Sequence, residues 1–247
     1  MTTTDWVKAA PGVPADFYAA EAAGLRWLAE PGALPVPAVR EVGPDRIVLE
    51  RVPAGRPSPA AAEAFGAGLA RLHAAGADGF GAPWPGYIGP LPMPNEPAPT
   101  WPEFYATRRV LPYLRQAVDR GAVEPRRAAV VERVLDRLPD LAGPPEPPAR
   151  VHGDLWSGNV LWAADGRAWI IDPAAHGGHR ETDLAMLALF GLPHLDRVLA
   201  AYDASWPLAA GWEERVPLHQ LHPLLVHAVL FGGGYGAQAV AAAARYA

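Results

Sequence analysis

The most constraining feature of this chain is the stretch from Val151 to Asn159, which reads Val-His-Gly-Asp-Leu-Trp-Ser-Gly-Asn. An apolar run follows and ends at Asp172, so Asn159 comes five positions after Asp154, and Asp172 thirteen positions after Asn159. In phosphoryl transfer, one Asp accepts a proton from the attacking hydroxyl, while an Asn and a second Asp hold Mg²⁺ on the phosphates of a nucleotide. Hard oxygen ligands of this kind suit Mg²⁺. The spacing therefore predicts Asp154 as the base and Asn159 and Asp172 as Mg²⁺ ligands.

The composition limits the classes of protein to which the chain can belong. Its 247 residues suffice for one large domain or two small lobes. A formal charge of −5 argues against a nucleic-acid binder, which usually carries a basic excess. The absence of cysteine excludes disulfides and thiol nucleophiles. The first eight residues lack the apolar core of a signal peptide, and the apolar run 228–244 is interrupted by glycines and Gln238. We therefore expect no membrane span and a cytoplasmic location.

The residue pattern predicts a small N-terminal α+β lobe followed by a larger helical lobe. A strand is expected over residues 4–9, a helix after Asp16, and two strands around a turn at 43–45. We place the lobe boundary after residue 52, which gives lobes 1–52 and 53–247. A loop is expected over 77–100, and further helices are expected over 101–119, 125–138, 182–191, 194–204 and 217–246.

Two further groups are candidates for contacts to a nucleotide. In the kinase arrangement a strand Lys holds the α- and β-phosphates and a helix Glu holds that Lys, and Lys8 and Glu21 can form such a pair. The segment from Glu50 to Val52 would join the lobes, where its backbone groups can pair with an adenine edge. An ordinary strand end explains this segment nearly as well.

Other residues have simpler structural interpretations. His152 is expected to be a hydrogen-bonding residue that packs the loop. Asp183 can cap its own helix or brace the loop through backbone N–H groups. The remaining histidines lack the spacing of a known metal motif, so we expect no histidine-based metal site. The glycine run 232–234 follows a helix and not a strand, which indicates a helix break and not a phosphate-binding loop.

Together these residues resemble the fructosamine kinase (ketosamine-3-kinase) family, within the aminoglycoside phosphotransferase and protein-kinase-like superfamily. The resemblance spans nearly the whole chain from Trp6 to the C-terminus. A His-Gly-Asp with a later Asn is shared across the superfamily. The Leu-Trp-Ser-Gly segment between that Asp and Asn, and the Asp-Pro-Ala at 172–174, are more specific to this family. The other matching segments include Tyr87–Gly89, Trp101–Tyr105, Gly178–Met186 and Phe231–Tyr235.

The resemblance implies an α+β, protein-kinase-like fold of two lobes, with a truncated N-terminal lobe and a larger, mainly helical C-terminal lobe. It implies ATP-dependent phosphorylation, with Mg²⁺, of the 3-hydroxyl of a fructosamine or ribulosamine, a reaction that repairs glycated amines. The acceptor would be a small or protein-bound glycated amine, and the oligomeric state is left open. The family roles fall on Asp154 as base, Asn159 and Asp172 as Mg²⁺ ligands, Lys8 and Glu21 as phosphate anchor, and Glu50 to Val52 as adenine contact. The residues implied near the sugar are Trp156, His179 and Glu181.

The sequence departs from the family at its N-terminus. Only seven residues precede Lys8 and none is glycine, whereas the family places two strands and a glycine-containing turn there as a lid over the phosphates. Each strand alone takes about five or six residues, so seven residues cannot build this lid. Three explanations stay open: a misassigned start, a native truncation that binds ATP weakly, or drift to a non-catalytic binder. A kinase of an aminoglycoside or amino sugar, and a pseudokinase, are therefore the alternatives to a fructosamine kinase.

Overall fold

The computed structural model describes residues 5–247, and the N-terminal part of these is a three-stranded antiparallel sheet with one helix. The strands and the helix are β1 (Trp6–Ala9), α1 (Phe17–Ala29), β2 (Val39–Val42) and β3 (Arg46–Leu49). The strand order is β1-β3-β2, so β1 forms one edge of the sheet. The expected first strand is confirmed from Trp6 onward, and Thr4 lies outside the described residues.

A small core fixes α1 against this sheet. Tyr18 and Leu25 of α1 and Ile47 and Leu49 of β3 pack together and are each at most 3% exposed. Residues three or four positions apart share one face of a helix, so Glu21 lies on the same face as these apolar residues. The packing therefore turns one carboxylate of α1 toward the interior.

A connector over residues 50–58 leads into the helical lobe. Gly55 N–H donates to Trp162 O at 2.7 Å, and the Ser58 hydroxyl caps the next helix by accepting from Ala61 N–H at 3.2 Å. The expected boundary at residues 52 and 53 stays a prediction.

The C-terminal lobe is mainly helical. Its helices are α2 (Pro59–Ala74), α3 (Trp101–Phe104), α4 (Leu111–Asp119), α5 (Pro125–Asp136), α6 (Leu138–Leu141), α7 (Glu181–Phe190), α8 (Leu195–Ser205), α9 (Trp212–His219), α10 (Leu221–Phe231) and α11 (Tyr235–Ala243), with a π-helical segment (Tyr105–Val110) between α3 and α4.

Short antiparallel ribbons in this lobe carry the motif residues. Their strands are β4 (Gly86–Ile88) with β5 (Leu91–Met93), β6 (Ala149–Val151) with β9 (His176–Gly178), and β7 (Val160–Trp162) with β8 (Ala168–Ile170). The loop that contains Asp154 connects β6 to β7, and Asp172 follows β8. Asp154 and Asp172 therefore follow strands of two different ribbons, β6–β9 and β7–β8, and the two parts of the sequence motif meet where those strands end.

The expectation of a continuous loop over residues 77–100 is wrong for residues 86–93, which form the hairpin β4–β5. The turn is Gly89-Pro90, and Gly89 adopts a left-handed φ of 52° that the turn requires. The density of proline and glycine around this hairpin hides its two three-residue strands from pattern reading.

The expected helix break at the glycine run is confirmed between α10 and α11. Gly232 and Gly233 have φ values of 65° and 58°, in the left-handed region that ends a helix. Within residues 5–247, no helix combines the length and the apolarity that crossing a bilayer requires.

Candidate active site

A buried carboxylate on α7 holds the loop that follows β6. Asp183 is 1% exposed, and its two oxygens accept from His152 N–H at 2.7 Å and Gly153 N–H at 2.9 Å. His73 Nε2 lies 3.1 Å from the same carboxylate, and its Nδ1 lies 2.8 Å from the Tyr202 hydroxyl. Burial alone would raise the pKa of Asp183, but the bonds from His73 and the loop backbone outweigh it and lower the pKa. Asp183 therefore braces the loop and does not merely cap its helix.

His152 links the two halves of the motif. Its Nε2 lies 2.9 Å from Ile171 O, and its Nδ1 accepts from Asp154 N–H at 3.2 Å. This pattern assigns the neutral Nε2–H tautomer, and burial lowers the pKa of His152, which keeps the ring neutral. The structural role expected for this residue fits the geometry.

Asp154 lines a cavity, beside Asn159. Asn159 Nδ2 donates to Asp154 O at 2.8 Å and to Asp154 Oδ2 at 3.1 Å. Burial raises the pKa of Asp154 to about 7; the bond from Asn159 opposes this rise, while the charges of Asp172 and Asp183 add to it. A carboxylate with a pKa near neutrality is well placed to accept a proton from an alcohol and to release it afterwards.

Lys8 connects the N-terminal lobe to the second motif Asp. Its Nζ donates to Glu21 Oε1 at 2.7 Å and to Asp172 Oδ1 at 2.8 Å. Burial would lower the pKa of Lys8, but these two carboxylates raise it, so its ammonium group stays charged. Residues separated by 164 positions in the chain thus meet in one cluster of charges.

Asp172 has an unusual backbone. Its φ of 53° lies in the left-handed region, which a non-glycine residue rarely adopts. Such conformations cost of order 1–3 kcal/mol and concentrate at functional sites, because the surrounding structure must hold them. Here His152 holds the preceding carbonyl, and Ile171 N–H donates to Asn159 O at 3.1 Å. The conformation turns the Asp172 side chain toward Lys8.

These side chains open into one cavity of 230 Å³. Trp156 lines the cavity and is 39% exposed, with its ring over Gly158, where a Cβ would overlap the indole. Another part of the lining is the segment from Trp84 to Gly89, which includes β4. The charged or amide side chains in the lining are Lys8, Glu21, Asp154, Asn159 and Asp172. The structure therefore brings six of the ten predicted site residues to a single cavity.

The predicted adenine contact lies elsewhere. Glu50 and Val52 do not line this cavity, and Glu50 N–H already donates to Ala38 O at 2.9 Å. Val52 N–H has no hydrogen-bond partner within residues 5–247, so it is free to donate to a ligand. Adenine recognition by this connector stays a prediction.

The expected place of His179 and Glu181 beside the sugar needs correction, because both lie in the core of the helical lobe. They are 3% and 2% exposed and do not reach the cavity. Both oxygens of Glu181 accept from the guanidinium of Arg215, at 2.6 and 2.9 Å, and the His179 ring packs on Trp101 at 4.9 Å. His179, Glu181 and His219 offer atoms close enough to share a cation. The adjacent guanidinium repels a cation, so this group is an ion-pair cluster.

Replacing Glu181 with glutamine should reduce the stability of the protein in a pH-dependent manner. Burial would raise the pKa of Glu181, but the His219 ring, whose Nε2 lies 3.3 Å from Glu181 Oε2, and the two bonds from Arg215 lower it to about 2. A carboxylate whose pKa is depressed in the folded protein stabilises the fold at pH values above its pKa in the unfolded chain, which is near 4.5 for Glu181. This stabilisation is lost as the pH falls toward 2. We expect Glu181→Gln to lower the free energy of unfolding by about 3 kcal/mol at pH 7. Denaturant titration at several pH values measures it.

Glu63→Gln is the matched control for this change. Glu63 also pairs with an arginine, Arg197, at 2.6 Å, but both side chains are half exposed. Exposed pairs contribute at most about 1 kcal/mol. A loss in Glu181→Gln that equals that of the control, or one that stays constant down to low pH, would contradict this account.

The sequence did not reveal the hairpin wall of the cavity. The segment Tyr87–Gly89 matches the family, but the sequence does not predict its place in the lining of the cavity that contains Asp154. The available signal was weak: Tyr87 and Ile88 before the Gly89-Pro90 turn favour a strand, but the second strand, Leu91-Pro92-Met93, contains no β-branched or aromatic residue.

Comparison with protein families and sequences identifies close similarities. The family model for fructosamine kinase matches residues 3–246. A probable ketoamine kinase of Thermus thermophilus is 37% identical, over 93% of this chain and 82% of its own length. The probable ketoamine kinase YniA of Escherichia coli K12 is 35% identical, over 87% of this chain and 76% of its own length.

Comparison with solved structures shows similarity to the same family and, at lower sequence identity, to other kinases that share the fold. The crystal structure of a Thermobifida fusca protein, provisionally assigned as a fructosamine-3-kinase, is 58% identical with a TM-score of 0.95, over 98% of this chain and 85% of that one. The choline kinase LicA of Streptococcus pneumoniae shares only 16% identity but has a TM-score of 0.63 over the whole chain. A type VIII aminoglycoside-3'-phosphotransferase has a TM-score of 0.55 over 89% of this chain and 83% of its own. The expected α+β, protein-kinase-like two-lobe fold is therefore confirmed.

Proposed function

The chain belongs to the fructosamine kinase family, and we propose that it transfers the γ-phosphoryl group of ATP to the 3-hydroxyl of a fructosamine or ketosamine. The acceptor in this proposal is a glycated amine, either small or attached to a protein. Phosphorylation at the 3-position destabilises the adduct and releases the free amine. The reaction would therefore repair glycated amines.

One observation carries the proposal: a proton acceptor, two oxygen ligands and a cation line the same small cavity. Asp154, Asn159, Asp172 and Lys8 come from three different segments of the chain, and their functional groups converge. Phosphoryl transfer needs positioning and charge neutralisation more than covalent help from the protein. A structural ion-pair network would not require an open cavity bounded by an exposed tryptophan.

The residues present fit a Mg²⁺ ion. Asn159 uses its Nδ2 for bonds to Asp154, which leaves its Oδ1 as an acceptor. Asp172 uses Oδ1 for Lys8, and within residues 5–247 its Oδ2 has no hydrogen-bond partner. Mg²⁺ takes one or two carboxylates and keeps several waters, so one amide and one carboxylate oxygen suffice. Bound there, the ion would neutralise charge on the nucleotide phosphates.

The protein side chains divide the remaining tasks. Lys8, held by Glu21, would bind the phosphates as a fixed positive charge. Asp154 would accept the proton of the acceptor hydroxyl as the bond to phosphorus forms, which its pKa of about 7 permits at neutral pH. Trp156 would provide an apolar face for the sugar ring at the mouth of the cavity.

The identity of the acceptor can be tested directly. The protein is incubated with Mg²⁺–ATP and, separately, fructosyl-lysine, ribulosyl-lysine, a glycated peptide, and an aminoglycoside. Mass spectrometry detects the phosphorylated products, and ³¹P–¹H NMR locates the phosphate on the sugar. We expect transfer to the 3-hydroxyl of the ketosamines. Transfer only to the aminoglycoside, or to no acceptor, would overturn the proposed substrate class.

Replacing Trp156 with alanine is expected to weaken acceptor binding. The loss of one aromatic stacking face should raise the KM for the ketosamine about tenfold and leave the KM for ATP near its original value. Steady-state kinetics with each substrate varied in turn measures both constants.

Trp169→Ala is the control for this substitution, because Trp169 lies on β8 outside the cavity and bonds to Asp165 at 3.1 Å. It should leave both constants unchanged. Equal effects of the two substitutions on the acceptor KM would place the sugar away from Trp156.

A further inference from the structure

The hairpin β4–β5 is anchored at its base to the helical lobe. Arg109, which is 2% exposed, donates to Asn95 Oδ1 at 2.8 Å and to Pro94 O at 2.5 Å, immediately after β5. The Tyr113 hydroxyl donates to Pro92 O at 2.9 Å within β5. Side chains of the π-helical segment and of α4 thus fix one end of the hairpin to the larger lobe.

The other strand of the hairpin reaches the smaller lobe. The Tyr87 hydroxyl donates to Asp16 Oδ1 at 2.6 Å, and the Tyr87 ring lies 5.0 Å from the ring of Phe17. Burial and the Asp16 carboxylate raise the pKa of Tyr87 to about 12, so the hydroxyl stays a donor at neutral pH. The hairpin therefore spans from the helical lobe to the start of α1.

Asp16 makes this contact in place of its usual one. It occupies the N-cap position of α1, where an Asp side chain ordinarily accepts from the backbone N–H groups of the first turn. Here it makes no side-chain cap bond. The carboxylate that would stabilise α1 locally instead ties α1 to the hairpin.

The position of α1 matters because this helix carries Glu21. Glu21 is five residues beyond Asp16, about 7.5 Å along the helix axis, so a shift at the first turn reaches it directly. Further along, a Cβ on Gly24 would lie 3.2 Å from Ala175 Cβ, so α1 packs closely on the segment that follows Asp172. Small movements of α1 therefore alter the Glu21–Lys8 bond and the packing beside Asp172 together.

We propose that Tyr87 is a positioning residue, whose hydroxyl bond to Asp16 holds α1 where Glu21 meets Lys8. Tyr87 lines the cavity wall, but the bond acts through α1 and not on the reacting atoms. The inference rests on the proposed function in treating the Lys8–Glu21 pair as the nucleotide anchor. The effect of Tyr87 on α1 itself does not depend on any substrate.

Hydrogen exchange of α1 tests the first step without a substrate. Tyr87→Phe keeps the ring contact with Phe17 and removes only the hydroxyl. We expect exchange in the first two turns of α1 to rise about fivefold, as the loss of one hydrogen bond predicts. Asp16→Ala should have the same effect, and the double variant should be no worse than either. Asp16→Asn keeps an acceptor oxygen and should restore the slower exchange.

Tyr246→Phe is the matched control, since the Tyr246 hydroxyl donates to Glu214 O in the helical lobe, away from α1. It should leave exchange in α1 unchanged. Unchanged exchange in Tyr87→Phe, or additive effects of Tyr87→Phe and Asp16→Ala, would overturn the inference whether or not a ketosamine is phosphorylated.

Kinetics separate positioning from general stability. Tyr87→Phe and Asp16→Ala should raise the KM for ATP a few-fold, with kcat and the acceptor KM little changed, and Asp16→Asn should rescue the KM for ATP. A fall in kcat alone would contradict a role through Lys8. If exchange rises as expected and no ketosamine is phosphorylated, the proposed substrate fails and the positioning of α1 by Tyr87 stands.

Discussion

Replacement of Asp154 by asparagine is expected to lower kcat for ketosamine phosphorylation by about 10²–10⁴-fold, the usual contribution of a general base. The amide oxygen of asparagine can still accept the bond that Asn159 Nδ2 now donates to Asp154 Oδ2 at 3.1 Å. It cannot accept a proton from the hydroxyl of the acceptor. The KM values for both substrates should therefore change little, because the cavity keeps its shape. Steady-state kinetics and a nucleotide titration of the variant measure the two effects separately.

Asp165→Asn is the control for this prediction. Asp165 lies on the turn between β7 and β8 and pairs with Arg167, outside the cavity. Its substitution should leave kcat unchanged. If Asp154→Asn were to turn over at a rate close to that of the control, Asp154 could not be the proton acceptor.

Replacement of Asp183 by alanine is expected to be the most destabilising of the substitutions considered. It removes the acceptor of two buried backbone N–H groups, His152 and Gly153, and of the His73 ring. Buried donors left without partners, together with a broken buried pair, cost about 3–5 kcal/mol. The loop that carries Asp154 should lose its fixed position as well, so activity should fall even at temperatures where the variant is folded. Chemical denaturation and kinetics measure the two losses.

Asp203→Ala gives the matched comparison. Asp203 also accepts from a backbone N–H, that of Leu208 at 2.7 Å, but at the surface. Water can replace its lost bond, so about 1 kcal/mol or less is expected. An Asp183→Ala variant as stable as Asp203→Ala would mean that the loop does not depend on this brace.

The core of the site could be predicted from sequence because its residues are close in the chain. Asp154 and Asn159 lie in the loop between β6 and β7, and Asp172 comes directly after Ile171, just past β8, so only the short β7–β8 ribbon separates them along the chain. The sequence also predicts the Lys8–Glu21 pair, and in the structure Lys8 Nζ lies 2.7 Å from Glu21 Oε1. The prediction of this pair depends on the family arrangement, since a separation of thirteen positions between a Lys and a Glu carries no structural information by itself.

Contacts between distant segments could not be predicted. The Lys8–Asp172 bond joins residues 164 positions apart, and the Tyr87–Asp16 bond joins residues 71 apart. Periodicity reports which face of an element is apolar, and not which elements meet. The same limit explains the misplacement of Glu181, which follows the motif closely in sequence but is drawn into the core by Arg215, 34 residues further on.

A crystal structure with Mg²⁺ and a non-hydrolysable ATP analogue tests the central claim most directly. The account predicts that Asn159 Oδ1 and an Asp172 oxygen bind the same Mg²⁺ at about 2.0–2.1 Å, that Lys8 Nζ contacts a phosphate oxygen, and that Asp154 faces the γ-phosphate. A nucleotide whose metal is held by other residues, or one bound away from the cavity that these four side chains line, would contradict it.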